Sequence, residues 1–158
     1  MEPVAGPSIV HASRTDRKTA GNTSTGATNG VFKDIPFETN DFVENPTPGF
    51  ISKPNNTDFT LAFPGVYRCL YALTASPGAN DVGWEMRAVL DGNLIPQSRA
   101  RGSGRGNAAE NFTVTRSFLF RTTLANQVLK IQAAPTEGVA VNIVSEYSVC
   151  TVELVRLT

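Results

Sequence analysis

Histidine, tryptophan and cysteine are scarce in this 158-residue sequence: His11 is the only histidine, and there are two cysteines and one tryptophan. A lone histidine excludes a multi-histidine metal site and leaves no histidine pair for proton relay. Cys69 and Cys150 stand far apart and show no metal-ligand spacing. Both fall in apolar stretches, so they read as small buried thiols rather than a disulfide. Charge of one sign is also missing, because Lys plus Arg and Asp plus Glu balance at 14 each. That gives no net field to draw nucleic acid or an anionic membrane. No apolar run approaches the length that crosses a bilayer. The first residues, MEPVAGPSIVHAS, carry an early acid and no basic region before an apolar stretch. They do not resemble a secretion signal, so synthesis in a cytoplasm without export is expected. Sequons at Asn22, Asn55 and Asn111 are then expected to be chance matches. Finally, no segment shows a helical period, which leaves an all-β chain rich in turns, with 13 glycines and 10 prolines.

What is present is a series of short strands with turn signals between them. The dominant stretch is 59–75, FTLAFPGVYRCLYALTA, broken at Pro64 and Gly65. Beyond that break both alternating sets are apolar: Tyr67, Cys69, Tyr71 and Leu73 on one face, Val66, Leu70 and Ala72 on the other. Apolar residues on both faces predict burial on both sides. One side is the core of the chain, and the other needs a cover, for which a partner subunit is the candidate. The last stretch, 147–157, is apolar on both faces as well, with Cys150, Val152 and Leu154 set against Val149, Val155 and Leu157.

In chain order, residues 1–7 read as a tail and 8–13 as a weak first strand. Residues 14–30, RTDRKTAGNTSTGATNG, read as a long polar loop, either a contact arm or a mobile connection. Residues 31–37 form a short strand that Pro36 confines to an edge or bulge, and 41–56 predict loops around brief strands. Residues 82–90 alternate strictly. Val82, Trp84, Met86, Ala88 and Leu90 are assigned inward, and Gly83, Glu85, Arg87 and Val89 outward to solvent. Asp91, Gly92 and Asn93 close a hairpin, 97–110 is a Gly/Arg-rich loop, and further strands follow at 112–121, 127–133 and 139–144.

The order VFKDIPF, DFTLAFPGVYRCLYAL, DGNLIPQS, NQVLKIQA and a final apolar strand resembles the trimeric jelly-roll heads of the tumour-necrosis-factor and complement-q type. The resemblance rests on Pro64, Gly65, Val66, Tyr67 and Tyr71 at the turn into the aromatic strand. It rests also on the hairpin at Asp91, Gly92 and Asn93, and on Leu129 and Ile131 after a short turn. Ala125, Asn126 and Gln127 replace the usual Gly-Asp, and Cys150, Thr151 and Val152 replace the usual Phe and Gly pattern. The likeness spans 8–158 as one domain, loop-rich over 8–57 and carrying the main strands over 58–158. It implies an antiparallel jelly-roll sandwich that forms homotrimers. It implies that strands 59–75 and 147–157 are neighbours in the inner sheet, whose outer face lines a threefold axis. Val66, Arg68, Leu70, Val149, Glu153, Val155 and Leu157 are therefore the expected trimer interface, with an Arg68–Glu153 charge pair. It places Cys69 and Cys150 side by side in the core as reduced thiols.

Chemistry beyond assembly is thin. There is no nucleophile elbow, no Cys-His arrangement with a third member and no phosphate loop, so no catalytic residues, cofactor or metal are expected. Asp34, Glu38, Asp41 and Glu44 are close in sequence, but their spacing matches no calcium loop, and scattered surface acids are commoner. Arg99, Arg101 and Arg105 sit among glycines in a loop whose commoner state is a solvated hairpin tip. Its functional alternative is contact with an anion or acidic surface. With His11, Arg14, Arg17 and Lys18 of the polar region, these form the candidate partner contacts. Interleaved aromatics and a basic balance, which nucleic-acid binding wants, are absent. The function expected is a non-enzymatic virion protein: a trimeric decoration or cement protein on a bacteriophage capsid lattice. The alternative is a receptor-binding head of a phage fibre or spike.

Overall fold

The computed structural model describes residues 11–44, 49–77, 82–104, 111–145 and 147–158. Its strands are β1 (Ala12–Arg17), β2 (Thr23–Ser24), β3 (Lys33–Asp34), β4 (Thr39–Glu44), β5 (Ile51–Ser52), β6 (Phe59–Leu61), β7 (Gly65–Pro77) and β8 (Gly83–Leu90). They continue with β9 (Asn93–Leu94), β10 (Ala100–Ser103), β11 (Phe112–Thr122), β12 (Gln127–Pro135), β13 (Val141–Ile143) and β14 (Val149–Leu157), with one 3₁₀ turn at Pro96–Ser98. All the pairings are antiparallel. One sheet runs β2-β13-β7-β14-β1-β4 with β11 on the other edge of β7. The second runs β10-β8-β12-β6-β5, with β3 on β12 and β9 on β8. The two sheets form the expected jelly-roll sandwich.

The long strand β7 is paired along both edges, which makes it an interior strand of its sheet. β11 follows it from Gly65 to Ala75. The opposite edge is shared by β14, from Gly65 to Ala72, and β13, from Ala75 to Pro77. Between those two partners the Thr74 amide would lose its ladder acceptor. The Ser148 hydroxyl accepts it at 3.0 Å and the Thr74 carbonyl accepts the Val144 amide at 2.8 Å, so no buried backbone group is stranded there.

The core fills from the alternate residues of both sheets. Tyr67, Cys69, Tyr71, Leu73, Cys150, Val152, Phe118 and Phe120 face Trp84, Met86, Ala88, Leu129, Ile131 and Ala133, and all are buried. The buried tyrosines keep partners for their hydroxyls: Tyr67 donates to the Phe63 carbonyl at 2.8 Å and Tyr71 to the Ser98 carbonyl. Burial raises the Tyr71 phenol far above its ordinary range, with the neighbouring Cys69 thiol adding to the shift. Tyr71 meets Phe118 edge-on at 6.2 Å and Tyr67 stacks on Phe120 at 5.9 Å, contacts each worth about 0.5–1.5 kcal/mol beyond burial.

Several expectations need correction. Residues 14–17 are strand, not loop: β1 pairs with β14 and β4 through Arg17. Hydrogen bonding on both edges outweighs the polar composition that suggested a loop. The segment 97–110 likewise contains β10, paired residue for residue with β8; residues 105–110 lie outside the described residues, as do the tail 1–7 and the start of the expected first strand. Strand 82–90 is not one-sided. Glu85 and Val89, assigned to solvent, are buried because the 28–32 segment, β9 and the arginines flanking β10 cover that face. The Asp91-Gly92 hairpin takes left-handed angles at both residues (φ 49° and 79°), so Leu90 pairs with Asn93 across a two-residue turn.

Cys69 lies opposite Val152, and Cys150 opposite Tyr71, which makes the thiols diagonal neighbours with their sulfurs 3.8 Å apart. Diagonal Cα atoms stand about 7–8 Å apart, beyond what a disulfide spans without backbone movement. Burial, and then the Cys69 thiol beside it, push the Cys150 thiol up, which further quiets it. Intact mass without reductant is expected to show both thiols free, and a two-hydrogen loss would contradict this packing. Gly102 faces the Trp84 ring, where an added Cβ would come within 2.6–2.7 Å of ring carbons and of Val114. Gly102→Ala is expected to cost about 1–3 kcal/mol of unfolding free energy, read by urea denaturation.

Candidate functional site

The outer face of the β7 sheet is left uncovered by the rest of the fold among the described residues. Its rows follow from the registers: Ser117, Leu70, Thr151 and Thr15 across one line, and Leu119, Arg68, Glu153 and Ser13 across the next. Large apolar side chains stand open on this side of the domain: Leu119 is 56 % exposed, Phe42 52 %, Val155 50 % and Leu70 38 %. Arg68, Leu70, Ser117, Thr151 and Glu153 surround a shallow depression of about 310 Å³. In the same face the Thr15 and Thr151 hydroxyls bond to each other at 2.9 Å.

A chain of polar contacts crosses this apolar ground. Arg68 Nε donates to Glu153 Oε2 at 2.9 Å, and its Nη2 reaches the same oxygen. His11 bridges onward, with Nε2 3.6 Å from Glu153 and Nδ1 3.2 Å from Glu44. The Arg68–Glu153 pair follows the expectation that the family resemblance gave, since it made the two strands neighbours with both residues off the core-facing set. Leu119, Phe42, Ser117 and Thr151 were missed. Leu119 could have been found, since it alternates out of phase with the core residues Phe118 and Phe120.

A bulge changes the end of this face. After Leu154 opposite Tyr67, Val155 is passed over and Arg156 pairs with Val66, while Leu157 pairs with Gly65. Arg156 therefore occupies the row that simple alternation reserves for Val155. Leu157 falls on the parity of Tyr67, yet it remains 46 % exposed at the sheet end. Val66 and Val149 are half-buried in the face.

The candidate partner contacts divide. His11 and Arg17 lie on the exposed side of β1, Arg17 paired with Asp41 at 3.1 Å. Arg14 and Lys18 do not present themselves to a partner. Arg14 points to the core side, where its Nε and Nη2 grip the wholly buried Asp16 at 2.6 and 2.9 Å, with Lys53 3.4 Å from the same carboxylate. Lys18 is wholly buried and lies 3.5 Å from Glu38, which also accepts the Thr19 and Ala20 amides at 2.7 and 3.2 Å. A buried ammonium stays charged only if paired, and this pairing sets it in the interior. Arg99 and Arg101 both bind Glu85 on the second sheet; Arg105 lies outside the described residues.

The four acids weighed for calcium do not converge. Asp34 binds Lys130 and Gln132, Glu38 binds Lys18, Asp41 binds Arg17 and Glu44 binds His11. Among the described residues no cluster of three metal-ligating side chains occurs, and no helix is long and apolar enough to cross a membrane.

No protein-family model and no curated protein matches the sequence. Solved structures do match in fold. Murine APRIL at pH 5.0 superposes with a TM-score of 0.66 over 92 % of this chain and 99 % of that chain, at 7 % identity. The same protein at pH 8.0 gives 0.63. The globular domain of zebrafish complement 1qA gives 0.54 over 94 % of this chain and 99 % of that chain, at 12 % identity. The chain therefore has the jelly-roll fold of the tumour-necrosis-factor and complement-q type.

The Glu38 site makes a pH-dependent contribution to stability. Burial pushes the Glu38 carboxyl up, but the Thr19 and Ala20 amides and the Lys18 ammonium outweigh it and hold the group below its ordinary 4.5. The unfolded chain takes up the proton first, so this stability is complete above that value and is lost as pH falls through the lower folded pKa. Glu38→Gln is expected to cost about 2 kcal/mol or more at pH 7 by leaving Lys18 unpaired. The gap to wild type in urea denaturation should shrink below about pH 4; a constant gap would sink this account.

Proposed function

We propose that the chain is a non-enzymatic structural subunit that works as a homotrimer, closed through the outer face of the β7 sheet. The observation that carries this is the apolar ground of Leu70, Leu119, Phe42 and Val155, left open on one sheet of a subunit whose core is already full. Leu70 and Leu119 are diagonal neighbours across β7 and β11, and large apolar side chains left open on one face favour a protein partner over solvent. The Arg68–Glu153–His11–Glu44 chain runs through it, and such charges set orientation and register more than affinity. Threefold closure joins one part of this face on each subunit to a different part on the next, a heterologous contact that closes into a ring and leaves no open end.

The setting that fits such a subunit is a virion. In this reading the trimers sit on a bacteriophage capsid lattice and stabilise the shell as decoration or cement, after synthesis in the host cytoplasm. The large apolar side chains exposed on the β7 face support a role in assembly. Copy number separates this from a receptor-binding head. Many copies on the shell, and heads that burst more easily without the chain, are the expected result. A few copies at the tail with loss of adsorption would overturn it.

The trimer has a simpler check. Light scattering at micromolar concentration should give a trimeric mass for the wild type. Leu70→Asp should give a folded monomer, because the charge enters the centre of the interface while Leu70 contributes little to the subunit core. A monomeric wild type would defeat the reading, and a trimeric Leu70→Asp would show that the wrong face had been chosen.

A further inference from the structure

We infer that the outer face of the second sheet carries a groove for an acidic, extended peptide segment of a partner protein. Glu85, Arg87, Phe32, Leu94, Arg99 and Arg101 are among the residues that enclose about 370 Å³ there. This surface lies on the far side of the sandwich from the β7 face. The inference deepens the proposed assembly role by naming the chemistry of the partner, and rests on that role only for its biological setting.

The arginines are organised from beneath. Glu85 is only 7 % exposed and receives Arg99 on one oxygen, with Nε at 2.7 Å and Nη2 at 2.6 Å, and Arg101 Nε on the other at 3.1 Å. A carboxylate buried to this degree needs such partners. Once bound, it restrains both guanidiniums while leaving them open above: Arg99 is 50 % exposed and Arg101 73 %. Arg87 is fixed differently. Its guanidinium lies 3.6 Å over the Phe32 ring and its Nε donates to Gln132 at 2.8 Å. Each guanidinium carries five N–H donors; the Gln132 contact uses one of those on Arg87, and Glu85 takes two from Arg99 and one from Arg101. Glu85 shows that the forks fit a carboxylate, and the remaining N–H groups offer the same geometry outward.

Charge and spacing point to the occupant. Three arginines surround one carboxylate, so the groove is net positive. Glu137 lies in the adjoining cleft with Arg101 and is bound to the Gly83 amide at 3.1 Å. Arg101 pairs in register with Glu85, and Arg87 lies two residues further along β8. That offset is about 7 Å, the spacing of side chains i and i+2 on an extended chain. Leu94, Ala134 and Pro135 supply apolar footing between the charges. β10 ends the strand order of this sheet among the described residues.

The test titrates the full chain, at low salt, with a capped peptide alternating glutamate and serine. Its glutamine analogue and a trigalacturonate serve as comparisons. The acidic peptide is expected to bind, to weaken with added salt, and to lose about five-fold or more in affinity on Arg101→Ala and on Arg87→Ala. Arg101→Ala leaves Glu85 paired with Arg99, so a thermal melt close to wild type is expected for it. Leu70→Asp, altered on the opposite sheet, should bind the peptide as wild type does, which separates failure of this groove from failure of the assembly. Equal binding of the glutamine peptide would overturn the proposal. So would undiminished binding in both arginine variants, loss of binding in Leu70→Asp, or binding of trigalacturonate without the peptide.

Discussion

The structure depends on one strand being hydrogen-bonded along both of its edges. Along Gly65–Pro77 the chain supplies β11 on one edge and β14 with β13 on the other. Burying a strand's backbone in the middle of a sheet is tolerable only when each amide and carbonyl is taken up. The Ser148 hydroxyl at the gap between β13 and β14 serves that need for Thr74. Once both edges are occupied, the two faces of β7 have separate roles. Tyr67, Cys69, Tyr71, Leu73 and Ala75 seal the core, while Val66, Arg68, Leu70 and Ala72 look away from it. The surface chemistry of the first sheet follows from that division.

The sandwich also keeps its charges in two kinds of place. Asp16 and Lys18 are wholly buried, yet each has an opposite charge within reach, Arg14 and Lys53 for the first and Glu38 for the second. Such pairs do little for net stability because desolvation cancels much of the attraction, but losing one member is costly. They fix how the first strand and the following loop lie against the sheet. The exposed charges are arranged differently on the two outer faces. On the β7 face a chain of polar contacts crosses apolar ground. On the other face arginines collect over one half-hidden carboxylate, so the two surfaces suit partners of different chemistry.

Much of this was legible before any coordinates. The all-β class, the two doubly apolar strands, the face carrying Tyr67 and Cys69, and the Asp91-Gly92 turn all follow from period-two alternation and turn chemistry. These are local rules, and they hold wherever a strand has one fixed neighbour. The same rules misread 14–17 and 97–103, where polar, Gly-rich or Arg-rich sequence forms strand because neighbouring strands supply its hydrogen bonds. They also misread 82–90, where alternation of polar and apolar residues predicts a wet face. Glu85 alternates like a solvent residue but is buried beneath two arginines that arrive from β10 and the turn before it.

The sequence alone determined which residues of each long strand share a face, because side-chain direction alternates with every peptide unit regardless of what packs against it. It could not decide what each outer face meets. The bulge at Val155 shifts Arg156 and Leu157 by one position, and the burial of Arg14 and Lys18 depends on carboxylates at Asp16 and Glu38. The site around Arg87, Arg99 and Arg101 exists only because β8, β10 and the 28–32 segment meet on one side of the second sheet. Except for Arg14 and Asp16, which stand two positions apart, those relations join residues distant in sequence, and tertiary pairing settled them.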